Sequence, residues 1–452
     1  MADTTDVRPW RTLTGGSATG ADAYIVPFDK SGACTGERTA EAVVEAAAHA
    51  TDVFLFSHGW NNDWAAATGR YDDFIARFLE TGHRWWNPPG RDYRPLLAGV
   101  FWPSTALVAP GERGPVIAGS PPGPATTAAL AEELSPTDAA RLTELAGPER
   151  IDRDEARELA ELLAPVLADG TDELRPGSPA RPDPADLVDA WRGLPPERPA
   201  GGPPPRPGGF IEDDGPGAPA APGTAGGPGE FAARFDPRQI IRLATVLLMK
   251  DRAGRVGGHG VALLLRSLLD APSGARIHLV GHSYGAKVVL SALCDGPAPG
   301  RKVESVLLLQ PALSALCFAR DVDGTGRPGG YRPAPERSEQ PVLTTFSRHD
   351  VPLTEVFHLA VRRRSDLGEV VIAGAPPSRY AALGGYGPQG VDGESVTVDP
   401  REPPEQYPLG PGPRIVAVKA DEVISGHGDV ANPATAWALL SQVMGAGSTG
   451  DG

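Results

Sequence analysis

Cysteine is scarce in this chain: Cys34, Cys294 and Cys317 are the only three in 452 residues. The number is odd and no two stand at metal-ligand spacing, which argues against a disulfide framework and a thiolate metal site. Cys294 and Cys317 fall in apolar runs and read as small buried hydrophobes. Aromatic residues are few, at 6%, but a hydrophobic fraction of 40% still supports a core if part of the chain stays out of it. Positive charge is short as well: 42 Lys and Arg against 57 Asp and Glu leave a net charge of −15. Such a chain repels phosphate backbones and anionic headgroups, which argues against nucleic-acid binding and against a general attraction to membranes. Long apolar runs are missing too. None reaches the ~18 residues that span a bilayer, and the richest, 303–319, is broken by Gln310 and Pro311. The start, Met1-Ala2-Asp3-Thr4-Thr5-Asp6, is acidic and has no apolar h-region. These absences predict a cytoplasmic protein with no signal peptide, no stable membrane insertion, and no metal or other cofactor.

What is present divides the chain into three blocks. Residues 1–108 alternate strand and helix: strands are expected at 23–28, 53–57 and 96–102, and helices at 39–50 and 64–79. Strands alternating with helices predict a parallel sheet covered on both faces. Val53-Phe54-Leu55-Phe56 is continuously apolar, as a central parallel strand is. Residues 109–230 break that pattern. Their first half carries short acidic helical segments. Ser135-Pro136-Thr137-Asp138 reads as a helix start, with an N-cap serine and proline at the first helical position. Leu159, Leu162, Leu163 and Val166 recur at helical spacing. Their second half is low in complexity: Gly and Pro fill 21 of the 35 positions from 195 to 229. A stretch so poor in apolar surface predicts a flexible linker.

Residues 231–452 resume the α/β pattern. Helices are expected at 240–249, 261–269 and 434–443, and strands at 277–280, 303–309, 342–346 and 415–418. Shorter strands are expected at 370–372 and 396–398. The Gly-rich run 254–260 lacks the Lys-Ser/Thr ending of a phosphate loop. The expected architecture is one α/β domain with a doubly wound, mostly parallel sheet. The helical and Pro/Gly-rich insertion leaves it after a strand's C-terminal end, where it could stand over a site as a cap.

Gly281-His282-Ser283-Tyr284-Gly285 lies between the strand-like Arg276-Ile277-His278-Leu279-Val280 and the helix-like run that starts at Ala286. A serine on a tight strand-to-helix turn is held in a strained backbone with its hydroxyl exposed. That hydroxyl needs an adjacent base, in most cases a histidine oriented by a carboxylate. On a doubly wound sheet the partners come from loops at the C-terminal ends of later strands. Of the nine histidines, only His349, His358 and His427 follow the serine outside its own turn. His358 sits in an apolar run and reads as structural. His349 adjoins a carboxylate at a strand end and is a weaker rival. His427, in Ser425-Gly426-His427-Gly428-Asp429 between the last strand and the last helix, is the expected base. Asp350 ends the strand 342–346 ahead of a turn and is the expected acid, with Asp321 and Asp323 as runners-up. Asp429 is too close to His427 in sequence for an orienting acid. The N–H of Tyr284, next after the serine, and that of Trp60, in Ser57-His58-Gly59-Trp60, are the expected oxyanion donors.

With His58-Gly59-Trp60 as an early oxyanion loop, Gly281–Gly285 as a nucleophile elbow, and the order serine, acid, histidine, the chain resembles the α/β-hydrolase superfamily. The Ser-His-Gly-Trp-Asn-Asn stretch and Phe101-Trp102-Pro103-Ser104 are similar to its loosely characterised bacterial serine-esterase-like branch. The resemblance covers roughly residues 22–108 and 236–445. It implies a serine hydrolase acting on an ester, thioester or amide of a small-molecule or lipid-like acyl substrate. It does not extend to the acyl group, because the insertion and the long stretch before the last strand lie where this family varies its specificity. Two other uses of the same fold stand beside that reading: a non-catalytic binding scaffold, and acyl transfer to an acceptor other than water.

Overall fold

The computed structural model describes residues 7–14, 20–60, 62–85, 93–104, 124–167, 174, 183–192, 235–272, 274–356 and 381–445. Nine strands form one sheet: β1 (Arg11–Thr14), β2 (Gly20–Pro27), β3 (Asp52–Ser57), β4 (Pro95–Phe101), β5 (Arg276–His282), β6 (Ser305–Leu309), β7 (Val342–Phe346), β8 (Ser395–Val398) and β9 (Ile415–Lys419). Their spatial order is β1-β2-β4-β3-β5-β6-β7-β9-β8. Only the β1–β2 pair is antiparallel. From β3 the chain winds first toward β4 and then, from β5, toward the opposite edge. The crevice between the C-terminal ends of β3 and β5 is therefore the switch point, where loops diverge and a site can open.

Side chains of β3 alternate between two cores, as the period of two requires. Val53 and Leu55 pack on one face, Phe54 and Phe56 on the other. The first face is covered by α1 (Glu37–Ala47), α7 (Pro237–Arg255), α8 (Ala262–Asp270) and α9 (Tyr284–Cys294); the second by α2 (Trp64–Trp85) and α11 (Pro433–Gly445). Phe54 is fully buried, with its ring 5.1 Å from Phe78 of α2. Each side chain of this size taken out of water contributes about 1.5–3 kcal/mol.

Where the sequence predicts two helices separated by glycines, α7 runs without a break into a π-turn at Val256–Val261 and then into α8. Three glycines make this fit. A Cβ at Gly257 would overlap the Val288 carbonyl oxygen of α9, and one at Gly260 the Gly32 carbonyl oxygen. The glycines permit close backbone packing here instead of ending the helix. The edge strand β1 has no apolar run to announce it.

Four helices of the insertion are described: α3 (Pro124–Ala131), α4 (Pro136–Ala146), α5 (Arg153–Leu163) and α6 (Pro184–Arg192). Ser135 caps α4 by accepting from the Asp138 N–H. Leu130, Leu142, Leu159 and Leu163 are fully buried and belong to the same core cluster as α7 and α9. The insertion helices therefore pack as part of the molecule. Arg252 of α7 is the bolt: it donates to the Pro103 carbonyl at 2.9 Å and to Glu133 at 2.8 Å, and it is 2% exposed. Losing one partner of such a pair strands a buried charge and costs about 3–5 kcal/mol. The exposed pair Arg141–Glu158 is screened by solvent and contributes little by comparison. The Pro/Gly-rich run 195–229 and the expected strand at 370–372 lie outside the described residues.

Among the described residues no helix is long and apolar enough to cross a membrane. One further helix, α10 (Leu383–Tyr386), matters because it borders the site.

Candidate active site

Ser283 sits on the turn between β5 and α9 with φ 56° and ψ −125°. Among the described residues only Ser283 and Gln310 combine a side chain larger than glycine's with positive φ. Such strain clusters at working sites, where the surroundings over-determine it. The surroundings here are glycines. A Cβ on Gly281 would stand 2.6 Å from the Ala286 Cα, and one on Gly285 would overlap the Ser57 carbonyl oxygen. A Cβ on Gly59 would stand 2.6 Å from the Ser283 Cβ, so the loop after β3 lies directly against the serine.

Four adjacent strands each place one side chain at their C-terminal ends: Ser283 after β5, Gln310 after β6, Asp350 after β7 and His427 after β9. His427 Nε2 lies 2.7 Å from Ser283 Oγ, and His427 Nδ1 lies 2.8 Å from Asp350 Oδ2. Ser283 and Asp350 are fully buried and His427 nearly so. Buried Asp350 takes three donors: His427 Nδ1, Gln310 Nε2 at 2.9 Å and the Leu353 N–H at 3.2 Å. With Nδ1–H directed at the carboxylate, Nε2 presents its lone pair to the serine hydroxyl. That arrangement puts the Ser283 hydroxyl within proton-transfer distance of Nε2.

His349 does not occupy this position; the imidazole that meets both Ser283 and Asp350 is His427's. Asp321 and Asp323 lie in an exposed turn, where Asp321 Oδ1 accepts from the N–H groups of Asp323 and Gly324 and Asp323 Oδ1 accepts from the Thr325 hydroxyl. Asp429 accepts from the backbone and side chain of Ser425. His358 lies outside the described residues.

Tyr284 takes the first position of α9, directly after Ser283. Its ring hydroxyl donates to the Val246 carbonyl of α7 at 3.2 Å. The Gly59 carbonyl accepts from His58 Nδ1 at 2.8 Å and from Asn62 Nδ2 at 2.9 Å. In a trans peptide the Trp60 N–H must then point away from Asn62. Asn62 also holds the Trp60 carbonyl and is itself held by Arg70, whose Nε donates to Asn62 Oδ1 at 2.8 Å. Asn62 and His282 are partners that sequence reasoning missed. His282 Nε2 lies 2.8 Å from the His427 carbonyl and so anchors the loop that carries the imidazole. Their signal was present: both stand within two residues of a residue already singled out.

Burial dominates the electrostatics. It pushes the His58 imidazole from 6.5 down to about 4, against a smaller upward pull from its bond to Gly59. It also holds His282 well below 6.5, with the nearby His427 acting in the same direction. The folded chain thus resists protonation at both rings, while the unfolded chain accepts protons near pH 6.5. Stability is therefore full above about pH 6.5 and falls as the pH drops toward 4. His58 alone should cost on the order of 3 kcal/mol across that window. Urea unfolding of wild type and His58→Asn at pH 7 and pH 4 measures it. The variant should lose much less stability than wild type between the two, and equal losses would refute the assignment.

A second Ser–His–Asp array lies at the opposite, N-terminal ends of the central strands. His278 bridges Ser305 Oγ at 2.8 Å and Asp52 Oδ1 at 3.0 Å, and Arg276 reaches the same Asp52 oxygen at 2.6 Å. Ser305, His278 and Asp52 are all fully buried, and they tie together the N-terminal ends of the neighbouring strands β6, β5 and β3.

Among the described residues, no group of three or more His, Cys, Asp or Glu is placed to hold a metal ion. Compared with family models, with curated proteins and with solved structures, the chain finds no match.

Proposed function

We propose that the protein is a serine hydrolase of the α/β-hydrolase kind that cleaves an ester, thioester or amide of a small-molecule or lipid-like acyl substrate. The observation that carries this reading is the doubly engaged His427, 2.7 Å from a serine held at positive φ and 2.8 Å from a buried carboxylate. Ser283 Oγ attacks the substrate carbonyl carbon while His427 Nε2 takes the hydroxyl proton. Asp350 holds the imidazole in its working tautomer and stabilises the imidazolium. The N–H groups of Trp60 and Tyr284 hold the tetrahedral oxyanion, each worth about 10²–10³ in kcat. Collapse of the intermediate returns the proton from Nε2 to the leaving group and leaves an acyl-serine. Water, deprotonated by the same Nε2, then releases the acid.

Labelling with a fluorophosphonate probe, followed by mass spectrometry of the modified peptide, tests the proposal. The expected adduct is on Ser283 in wild type and is missing from Ser283→Ala and His427→Ala. Folded wild-type protein that stays unlabelled while hydrolysing none of a panel of short- and long-chain esters would favour the binding-scaffold reading instead.

A further inference from the structure

We infer that Gln310 is a positioning residue for this site: its amide holds the Asp350 carboxylate aimed at His427. The inference rests on the hydrolase reading above. Strand β6 lies between β5, which carries Ser283, and β7, which carries Asp350. Gln310 follows β6 directly, is fully buried, and has φ 44°. Its backbone is laced to the serine turn. The Ser283 N–H donates to the Leu309 carbonyl at 3.1 Å, and the Ala312 N–H donates to the Ser283 carbonyl at 3.2 Å.

Every polar atom of the side chain is assigned. Nε2 donates to Asp350 Oδ2 at 2.9 Å and to the Gly384 carbonyl of α10 at 3.0 Å. Oε1 accepts from the Thr345 hydroxyl at 2.9 Å, and the same hydroxyl accepts from the Gln310 N–H at 2.9 Å. A flipped amide would set its oxygen against a carboxylate and a carbonyl, both acceptors, so the orientation is fixed by chemistry. Gly384 is shaped to this contact: a Cβ there would stand 2.6 Å from the Gln310 carbonyl carbon. The strained backbone, the closed ring with Thr345 and the glycine opposite all serve to direct one N–H at Asp350 Oδ2. That oxygen is also the one His427 Nδ1 meets. A purely structural glutamine would have no need to end on it.

The test uses the full chain with Gln310→Met, which keeps shape and removes the donor, and Gln310→Glu, which sets a second acid against Asp350. Two readouts are taken: the far-downfield proton resonance of the His427–Asp350 bond in the resting protein, and the pH profile of kcat/KM on an activated ester. Gln310→Met should displace or broaden the resonance and lower kcat by about tenfold or more with KM unchanged, as for a group acting only in the transition state. Gln310→Glu should displace the acid limb of kcat/KM, because two carboxyls this close share a proton and the charge that faces His427 is altered. Thr345→Val removes the anchor one step further out and should shift the resonance in the same way; it decides the matter if Gln310→Met does not fold. Wild-type resonance and wild-type acid limb in folded variants would overturn the inference. Because the resonance needs no turnover, an inert serine in wild type would sink the hydrolase reading without touching this measurement.

Discussion

Replacing Ser283 with alanine should lower ester turnover by about 10⁶-fold while the protein stays folded. The size of the effect follows from the single-atom nature of the change. Ser283 Oγ is the atom 2.7 Å from His427 Nε2, and no other described hydroxyl contacts that nitrogen. Alanine keeps the backbone turn, the bonds from Ser283 N to Leu309 and from Ala312 to the Ser283 carbonyl, and the packing of Gly59. It loses one hydrogen bond, worth about 1 kcal/mol, which is small beside the stability of a core this extensive. A thermal melt beside the rate assay separates lost chemistry from lost fold. A residual rate of about 10³–10⁴ over water is expected from the oxyanion donors and binding alone. Turnover within tenfold of wild type would place the nucleophile elsewhere.

Asp350→Asn should lower kcat by about 10³–10⁴-fold with little change in KM. An amide cannot stabilise the imidazolium, and it disturbs the tautomer as well. If its NH2 faced His427, Nδ1 would become the acceptor, and Nε2 would carry its proton toward Ser283, blocking the transfer. If instead its oxygen faced His427 and Gln310, its NH2 would oppose the Leu353 N–H that now donates to Oδ1 at 3.2 Å. Every orientation breaks a bond in a buried site, so some loss of stability accompanies the loss of rate. Steady-state kinetics and urea unfolding of the same sample measure both. A loss below tenfold would remove Asp350 from the array.

How much of this could be read in advance depends on the kind of signal. Central parallel strands are apolar on both faces, so β3 and β5 stand out as unbroken runs, and the α/β class follows from their alternation with helices. The insertion was legible as foreign by composition. Its packing was not, because burial of Leu130 and Leu142 against α7 depends on an approach between residues a hundred positions apart. The glycines at 257, 258 and 260 suggest a break by local propensity. The neighbouring backbones of α9 and the loop at Gly32 turn them into a π-turn.

The serine, the histidine and the acid were legible for a different reason. Their chemistry draws on few residue types, and strand order limits where each can stand, so elimination among nine histidines reaches His427. Gln310 leaves no such trace: a glutamine has no charge to follow and works only through where it points. The contacts of Gln310 run to residues 35, 40 and 74 positions away. The sequence by itself determined the fold class and the chemical identities available at the strand ends, because hydrophobic period and residue type are local properties. Only the tertiary structure decided which of those groups meet, in which tautomer and with which supports, because hydrogen bonds form between atoms about 3 Å apart in space, whatever their separation along the chain.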